Sequence, residues 1–263
     1  MRYRFGIFLM FAASLAAGAH ATTADELIAK NVAARGGLDK IRAIRTLKAE
    51  GKLRVSGGFG LLDLEFVQYK KAPDLVRIEA TVQGMTAIQS WDGQAAWQIS
   101  PFEGRKDPER MSDDDARSLA DDASISGPLI DYKARGSAVD YLGTEDVDGT
   151  QAHKLKVTLK NGDIEYVYLD PDHFLEIRVV GVRKIRGTES EDVTDYGDYE
   201  LVDGVYFPFS IASYTRGAGG HQQISVDEVQ TNTAIDGALF AFPGSAGVSK
   251  LTRGRQTCSA SLD

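Results

Sequence analysis

Few residues in this chain stand at spacings that do chemistry. Beyond residue 21 the histidines are His153, His173 and His221, far apart and never in an HExxH or other compact metal-ligand spacing. The single cysteine, Cys258, lies in a stretch of Gly, Ser, Thr and Arg with nothing to hold it beside a base. Neither a thiol nucleophile nor an internal disulfide is expected from it. No Gly-x-Ser-x-Gly elbow occurs. Gly57-Gly58-Phe59-Gly60 lacks the GxGxxG pattern and the P-loop lysine, and fits a flexible connection between two strands.

Carboxylates are more abundant. Asp113-Asp114-Asp115 follows Ser112 and suits a helix N-terminus, which favours negative charge. Asp121-Asp122 suits a solvated face, and Glu189, Glu191, Asp192, Asp195 and Asp198 suit a solvated edge or loop without EF-hand spacing. A hydrolytic carboxylate pair would need two acids facing one cleft, a separation that spacing along the chain does not give. No catalytic residue, metal or cofactor is therefore expected. The aromatics leave two readings open. Trp91 and Trp97 flank Asp92-Gly93, Tyr166 and Tyr168 share one strand face, and Phe207 and Phe209 share another. Such residues either fill a core or line a cavity for an apolar ligand.

The elements that must position these residues are mostly strands. Asp92-Gly93, Asp148-Gly149, Asn161-Gly162 and Asp203-Gly204 each stand between strand-like runs. Asn161-Gly162 is expected to supply the positive φ angles of a two-residue hairpin turn. Period-two alternation predicts about twelve strands between Leu47 and Val229. In them Leu62, Leu64 and Phe66 alternate with acids, Val76 and Ile78 with Arg77 and Glu79, and Leu155, Val157 and Leu159 with lysines. Each pattern gives one wet face and one apolar face. Thr23-Ala24-Asp25-Glu26 is a capping box opening a helix with Leu27, Ile28 and Val32 on one face, and Gly36-Gly37 stops it. A second short helix carries Leu38, Ile41 and Ile44. Asp113 to Tyr132 is expected as one or two helices, divided at Gly127-Pro128.

Residues 1–21 are expected to be a secretory signal peptide: Arg2 and Arg4, an apolar run from Phe5 to Ala17, and cleavage after Ala21. Losing two arginines and no acid moves the formal charge from -8 to -10. That balance argues against nucleic-acid binding, which needs basic residues to neutralise phosphates. Residues 22–243 are expected as one domain, and 244–263 as a flexible tail. Together these predict a mainly β fold with helices, α+β in class. Its sheet would be an unclosed antiparallel β-barrel or half-barrel covered by lid helices.

The order of several short motifs resembles LolA-like proteins, periplasmic carriers that sort outer-membrane lipoproteins. They are Ala24-Asp25-Glu26-Leu27-Ile28 leading to Ala34-Arg35-Gly36-Gly37-Leu38-Asp39-Lys40-Ile41, then Trp91-Asp92-Gly93 with Ala96-Trp97. Gly127-Pro128-Leu129-Ile130-Asp131-Tyr132, Tyr168-Leu169-Asp170, Asp198-Tyr199 and Val202 to Pro208 complete the set. The resemblance implies an apolar cavity under lid helices, with a lid-holding arginine near Arg42 and Arg45 that matches neither of them. The implied role is a monomeric, non-catalytic periplasmic carrier. Its partners would be a lipid or acylated protein and membrane-bound donor and acceptor proteins. The expected wall is Leu62, Leu64, Phe66, Val76 and Ile78 with Trp91, Trp97, Tyr166, Phe207 and Phe209. The expected lid face is Leu27, Ile28, Val32 and Ile41. A sensor or partner-binding module on the same fold is the alternative, and a hydrolase the last.

Overall fold

The computed structural model describes residues 22–244 apart from 59 and 186. The proposed signal peptide, Cys258 and nearly all of the expected tail lie outside the described residues. The chain opens with α1 (Ala24–Ala34) and α2 (Leu38–Ala43). The Thr23 hydroxyl accepts from the Glu26 amide at 3.2 Å while the Thr23 amide donates to the Glu26 carboxylate at 3.0 Å, the capping box the sequence predicts. Six strands follow: β1 (Thr46–Gly57), β2 (Gly60–Lys71), β3 (Leu75–Val82), β4 (Met85–Trp91), β5 (Ala96–Ser100) and β6 (Arg105–Arg110). Next comes α3 (Asp113–Asp122). A second run holds β7 (Ala138–Val147), β8 (Thr150–Thr158), β9 (Ile164–Leu169), β10 (Glu176–Ile185), β11 (Thr188–Val202), β12 (Val205–Thr215) and β13 (His221–Thr231).

All thirteen strands form one antiparallel sheet in the order β6-β5-β4-β3-β2-β1-β13-β12-β11-β10-β9-β8-β7. Two hairpin meanders are thus seamed by β1 and β13, from Leu47↔Thr231 to Ser56↔His221. The sheet does not close: β6 and β7 remain its edges, and α3 belongs to the connection between them. The register puts Ala49, Leu53, Phe66, Ile78, Ile211 and Ile224 on one, inner face. α1 buries Leu27 and Ile28 against Leu155, Val157, Val167 and Leu169. Ile41 and Ile44 pack with Leu47, Val205 and Phe207.

The strand beyond the expected twelve is β6. Its sequence, RKDPER, has no apolar alternation, so only its neighbour makes it a strand, through Trp97↔Arg110 and Gln98↔Glu109. Charge and a proline suit an edge, where half the backbone groups face solvent. β11 begins at Thr188, so Glu189, Glu191, Asp192, Asp195 and Asp198 lie within a strand rather than a loop. No second helix forms between α3 and Gly136, where the chain runs as turns and bends. Asp148-Gly149 and Asp203-Gly204 have both φ angles positive and close two-residue hairpins. Asn161-Gly162 does not. Only Gly162 has positive φ, the Gly162 amide donates to Leu159 O at 2.9 Å, and the loop holds three residues between Leu159 and Asp163.

The two glycines after α1 do different work. A Cβ on Gly36 (φ +119°) would lie 2.1 Å from the Gly204 carbonyl oxygen, so the Asp203-Gly204 turn packs directly on the helix end. The Tyr206 amide also donates to Arg35 O at 2.9 Å. Gly37 (φ +99°) has open space around it. Gly36→Ala should cost more than about 2 kcal/mol, through clash and strain together, and Gly37→Ala about 1 kcal/mol through strain alone. Urea unfolding midpoints of the two variants check this; equal losses would remove the close packing as the reason for Gly36.

Candidate functional site

The inner face encloses a cavity of about 890 Å³ that runs from Leu47 and Phe207, near α2, to Gly220 and His221 at the hairpin tips. Over one part the lining is apolar, with Leu53, Val55, Phe66, Ile78, Ala80 and Ile224. α3 roofs the open side of the sheet and is held differently on its two flanks. Ala116, Leu119 and Ala123 pack against Val76 and Ala96, with Ile78 and Trp91 beside them. Across the gap, Arg183 of β10 donates to Ser118 Oγ, and Arg117 Nη2 donates to Lys184 O at 2.8 Å. The roof continues through Ser124, Ile125, Gly127 and Pro128.

Of the expected wall residues, Phe66, Ile78 and Phe207 line the cavity. Leu64 shares their face and packs with Leu53 and Phe66, and Phe209 packs beside Phe207. Leu62 sits at the β1–β2 tip, 42% exposed. Val76 and Trp91 lie beneath α3 instead of facing open space. Two aromatics point away from the cavity. Trp91 pairs with Ala96 across a four-residue loop, so Trp97 pairs with Ser90 and falls on the outer face. There its indole Nε1 donates to Phe240 O at 2.8 Å. Tyr166 lies opposite Lys156 and Val180 on the outer face, with Lys154 4.5 Å above its ring. Leu27, Ile28 and Ile41 seal core rather than line the cavity. Val32 and Ile28 border a smaller hollow of about 310 Å³ with Leu38 and Leu129.

Beneath α3 the cavity is polar. Arg183 is the centre: Nη1 donates to Asp192 Oδ2 at 3.2 Å, and Nη2 lies 3.6 Å from Asp121 Oδ2. Its guanidinium folds over Gly181, where a Cβ would stand 3.0 Å from Nη2. Asp121 Oδ2 and Arg183 Nε are sealed from solvent without a hydrogen bond. Glu165 of β9 and Tyr196 of β11 also line the cavity. Burial, reinforced by the charge of Asp121, raises the Glu165 pKa to about 7. Burial raises Asp121 to about 6, against the opposing charge of Arg183. Burial, then nearby carboxylates, hold the Tyr196 hydroxyl far above its usual range.

Along the chain, Glu165 looks like any wet-face residue. Only the turn that seats Asp121 over β9 and β10 distinguishes it. Arg35 stands in the opening motif of the resemblance, but no role is expected of it from the sequence. It ends α1, donates to Ser126 O at 2.7 Å and lies 3.6 Å from Glu176, so it ties the helix to the roof from inside. Arg42 reaches the turn segment after α3 through an exposed pair with Asp131, and Arg45 uses its backbone amide on Asn232. A basic side chain directly before the helix-stopping glycines was the one available hint of Arg35.

No family model and no curated protein sequence matches this chain. Solved structures do. A protein of the DUF1329 family from Desulfovibrio piger superposes with a TM-score of 0.58 at 15% identity, over 82% of this chain and 96% of that one. A LolA superfamily protein from Nitrosomonas europaea gives 0.57 at 11%, over 84% and 98%. A putative outer membrane lipoprotein-sorting protein domain from Vibrio parahaemolyticus gives 0.56 at 13%, over 82% and 94%.

The raised carboxyls make stability fall with pH. Glu165 and Asp121 keep protons in the fold that the unfolded chain has already released, so stability declines as pH rises from 4.5 to about 7. Surface acids with lowered pKa values, such as Asp63 and Asp131, act only below that window. A loss on the order of 2 kcal/mol is expected across it, and Glu165→Gln should remove roughly half of the slope, leaving the part due to Asp121. Urea titrations at stepped pH measure this; a wild-type slope retained in the variant would show that Glu165 is not the group.

Proposed function

On the premise of its LolA-like fold, we propose that this chain is an exported, periplasmic binding or carrier protein for a lipidic ligand, an acyl chain above all. One observation supports this most: the sheet's inner face is not filled by its own side chains but encloses about 890 Å³ under α3. That volume is typical of a small-molecule site. Phe66, Ile78, Ile224 and their neighbours give it an apolar stretch long enough for a chain lying along the strands. An acyl chain gains roughly 0.8 kcal/mol per buried CH₂, so about sixteen carbons favour such a pocket over water by about 12 kcal/mol gross. A ligand of that kind does not cross water unaided, and a carrier must both cover it and release it.

The roof suits release. α3 is fixed to the first meander by apolar packing and to the second by a few hydrogen bonds and ion pairs. Parting the second set opens the cavity without breaking a core. A hydrolase is the weaker reading, although Asp121 and Glu165 both face one cleft. An acid–base pair works when its environments drive two pKa values apart. Here burial drives both upward.

Protein taken from a periplasmic fraction and analysed by native mass spectrometry should carry lipid, and the emptied protein should take up a fluorescent acyl probe. Ile78→Lys, which puts a charge in the apolar stretch, should weaken probe binding about tenfold or more. No bound lipid together with no probe uptake would overturn the proposal.

A further inference from the structure

Within that reading, the polar end of the cavity says something about the other end of the ligand. Five carboxyls line the cavity, Asp121, Asp122, Glu165, Glu176 and Asp192, against three cations, Arg35, Lys70 and Arg183. The cations are already engaged. Arg35 faces Glu176 and Ser126, Lys70 binds Asp122 at 3.2 Å, and Arg183 serves Ser118, Asp192 and Asp121. An anionic head group would have to displace one of these pairs inside a low-dielectric space.

Unused acceptors are what remain. The Glu165 carboxyl has no hydrogen bond or ion pair among the described residues, although it is half-buried where it lines the cavity. Asp121 Oδ2 is sealed without a hydrogen bond, next to an Arg183 side chain only 7% exposed whose Nε is also unpartnered. Buried polar groups in native proteins are rarely left in that state. The Tyr196 hydroxyl, also without a hydrogen bond among the described residues, couples electrostatically to Glu165. Among the described residues no group of three His, Cys, Asp or Glu side chains is placed to hold a metal ion.

We propose that this polar end is a head-group subsite for an amphiphile ending in a protonated amine, with Glu165 and Asp121 taking the ammonium and the apolar stretch taking the chain. The ammonium supplies the positive charge that five acids and three cations leave missing, and gives Glu165 and Asp121 a hydrogen-bond donor that neither has among the described residues, Asp121 having only the 3.6 Å ion pair with Arg183. It replaces the protons that the two carboxyls otherwise retain. The groups facing them are Arg117 and Asp122 from α3, Asp163 from the β8–β9 turn, Arg183 from β10 and Asp192 from β11. Of these, Asp163 and Arg117 stand 3.8 Å apart, so they balance one another.

Calorimetric titration of delipidated full-length mature protein with lauryl amine, lauric acid and lauryl alcohol tests this. The three share one chain and differ in head group; all are used below micelle formation. Above neutral pH the amine should bind at least about tenfold more tightly than the alcohol, and the acid more weakly than either. The amine's advantage should shrink on acidification through about 7 and about 6, as Glu165 and Asp121 take up protons. Glu165→Gln and Asp121→Asn should each reduce the amine-to-alcohol ratio by about tenfold. Unfolding curves confirm that the variants fold. Equal binding of all three probes, preference for the acid, or an amine preference that survives both substitutions would overturn this inference and leave the carrier reading standing. Binding of none would overturn both.

Discussion

The pairing of β1 with β13 is the constraint on which the rest of this structure depends. Each meander is built from neighbours in sequence and needs only short turns. The seam joins the first strand to the last, so it bears the largest loop-closure cost in the sheet. Once it forms, β6 and β7 become the two free edges, and yet they are consecutive in the chain. The segment between them must therefore travel from one edge of a curved sheet to the other. α3 and the turns after it lie across the open side because the topology leaves them nowhere else to go. A roof is thus a consequence of strand order.

That roof is fixed unequally. Against the first meander α3 buries small apolar side chains, the ordinary means of docking a helix on a sheet. Against the second it offers Arg117, Ser118 and Asp121 to a strand that answers with Arg183. Ion pairs in an enclosed place are costly to form and repay the cost only when every lone pair and proton is used. Here some are not used, and Glu165 is left facing open volume. The same few residues therefore close the cavity and set its charge, while the burial they impose raises its carboxyl pKa values against the pull of Arg183. One guanidinium both holds the roof and sets the charge beneath it.

Much of the architecture was legible because it is local. Period-two alternation placed twelve strands, the capping box placed α1, and glycines marked its end and two hairpins. β6 was not legible, since a charged edge strand carries no apolar pattern of its own. Nor was Asn161-Gly162 as a three-residue loop, where the bonds from Leu159 to Asp163 and Gly162 outweigh the dipeptide's preference. The site was less legible still. Of the apolar residues chosen for the wall, Phe66, Ile78 and Phe207 line the cavity, with Leu64 and Phe209 beside them, while Leu62 is exposed at a hairpin tip and Val76 and Trp91 are covered by α3. Trp97 and Tyr166 lie outside, and Asp121, expected on a solvated face, instead has its Oδ2 sealed from solvent over the polar end because α3 docks across the sheet.

The division has one physical cause. The amino-acid sequence by itself determined an acidic, mainly antiparallel chain of hairpins with a capped first helix, because turn angles, alternation and caps each depend on residues a few positions apart. Which aromatic faces inward depends on the parity of a loop, as between Trp91 and Trp97. Which carboxylate is enclosed depends on a helix that arrives from elsewhere in the chain. Asp121 and Glu165 are ordinary acids until α3 settles over β9 and β10 and removes the water from both. Desolvation belongs to the neighbours, and only the tertiary structure chose them.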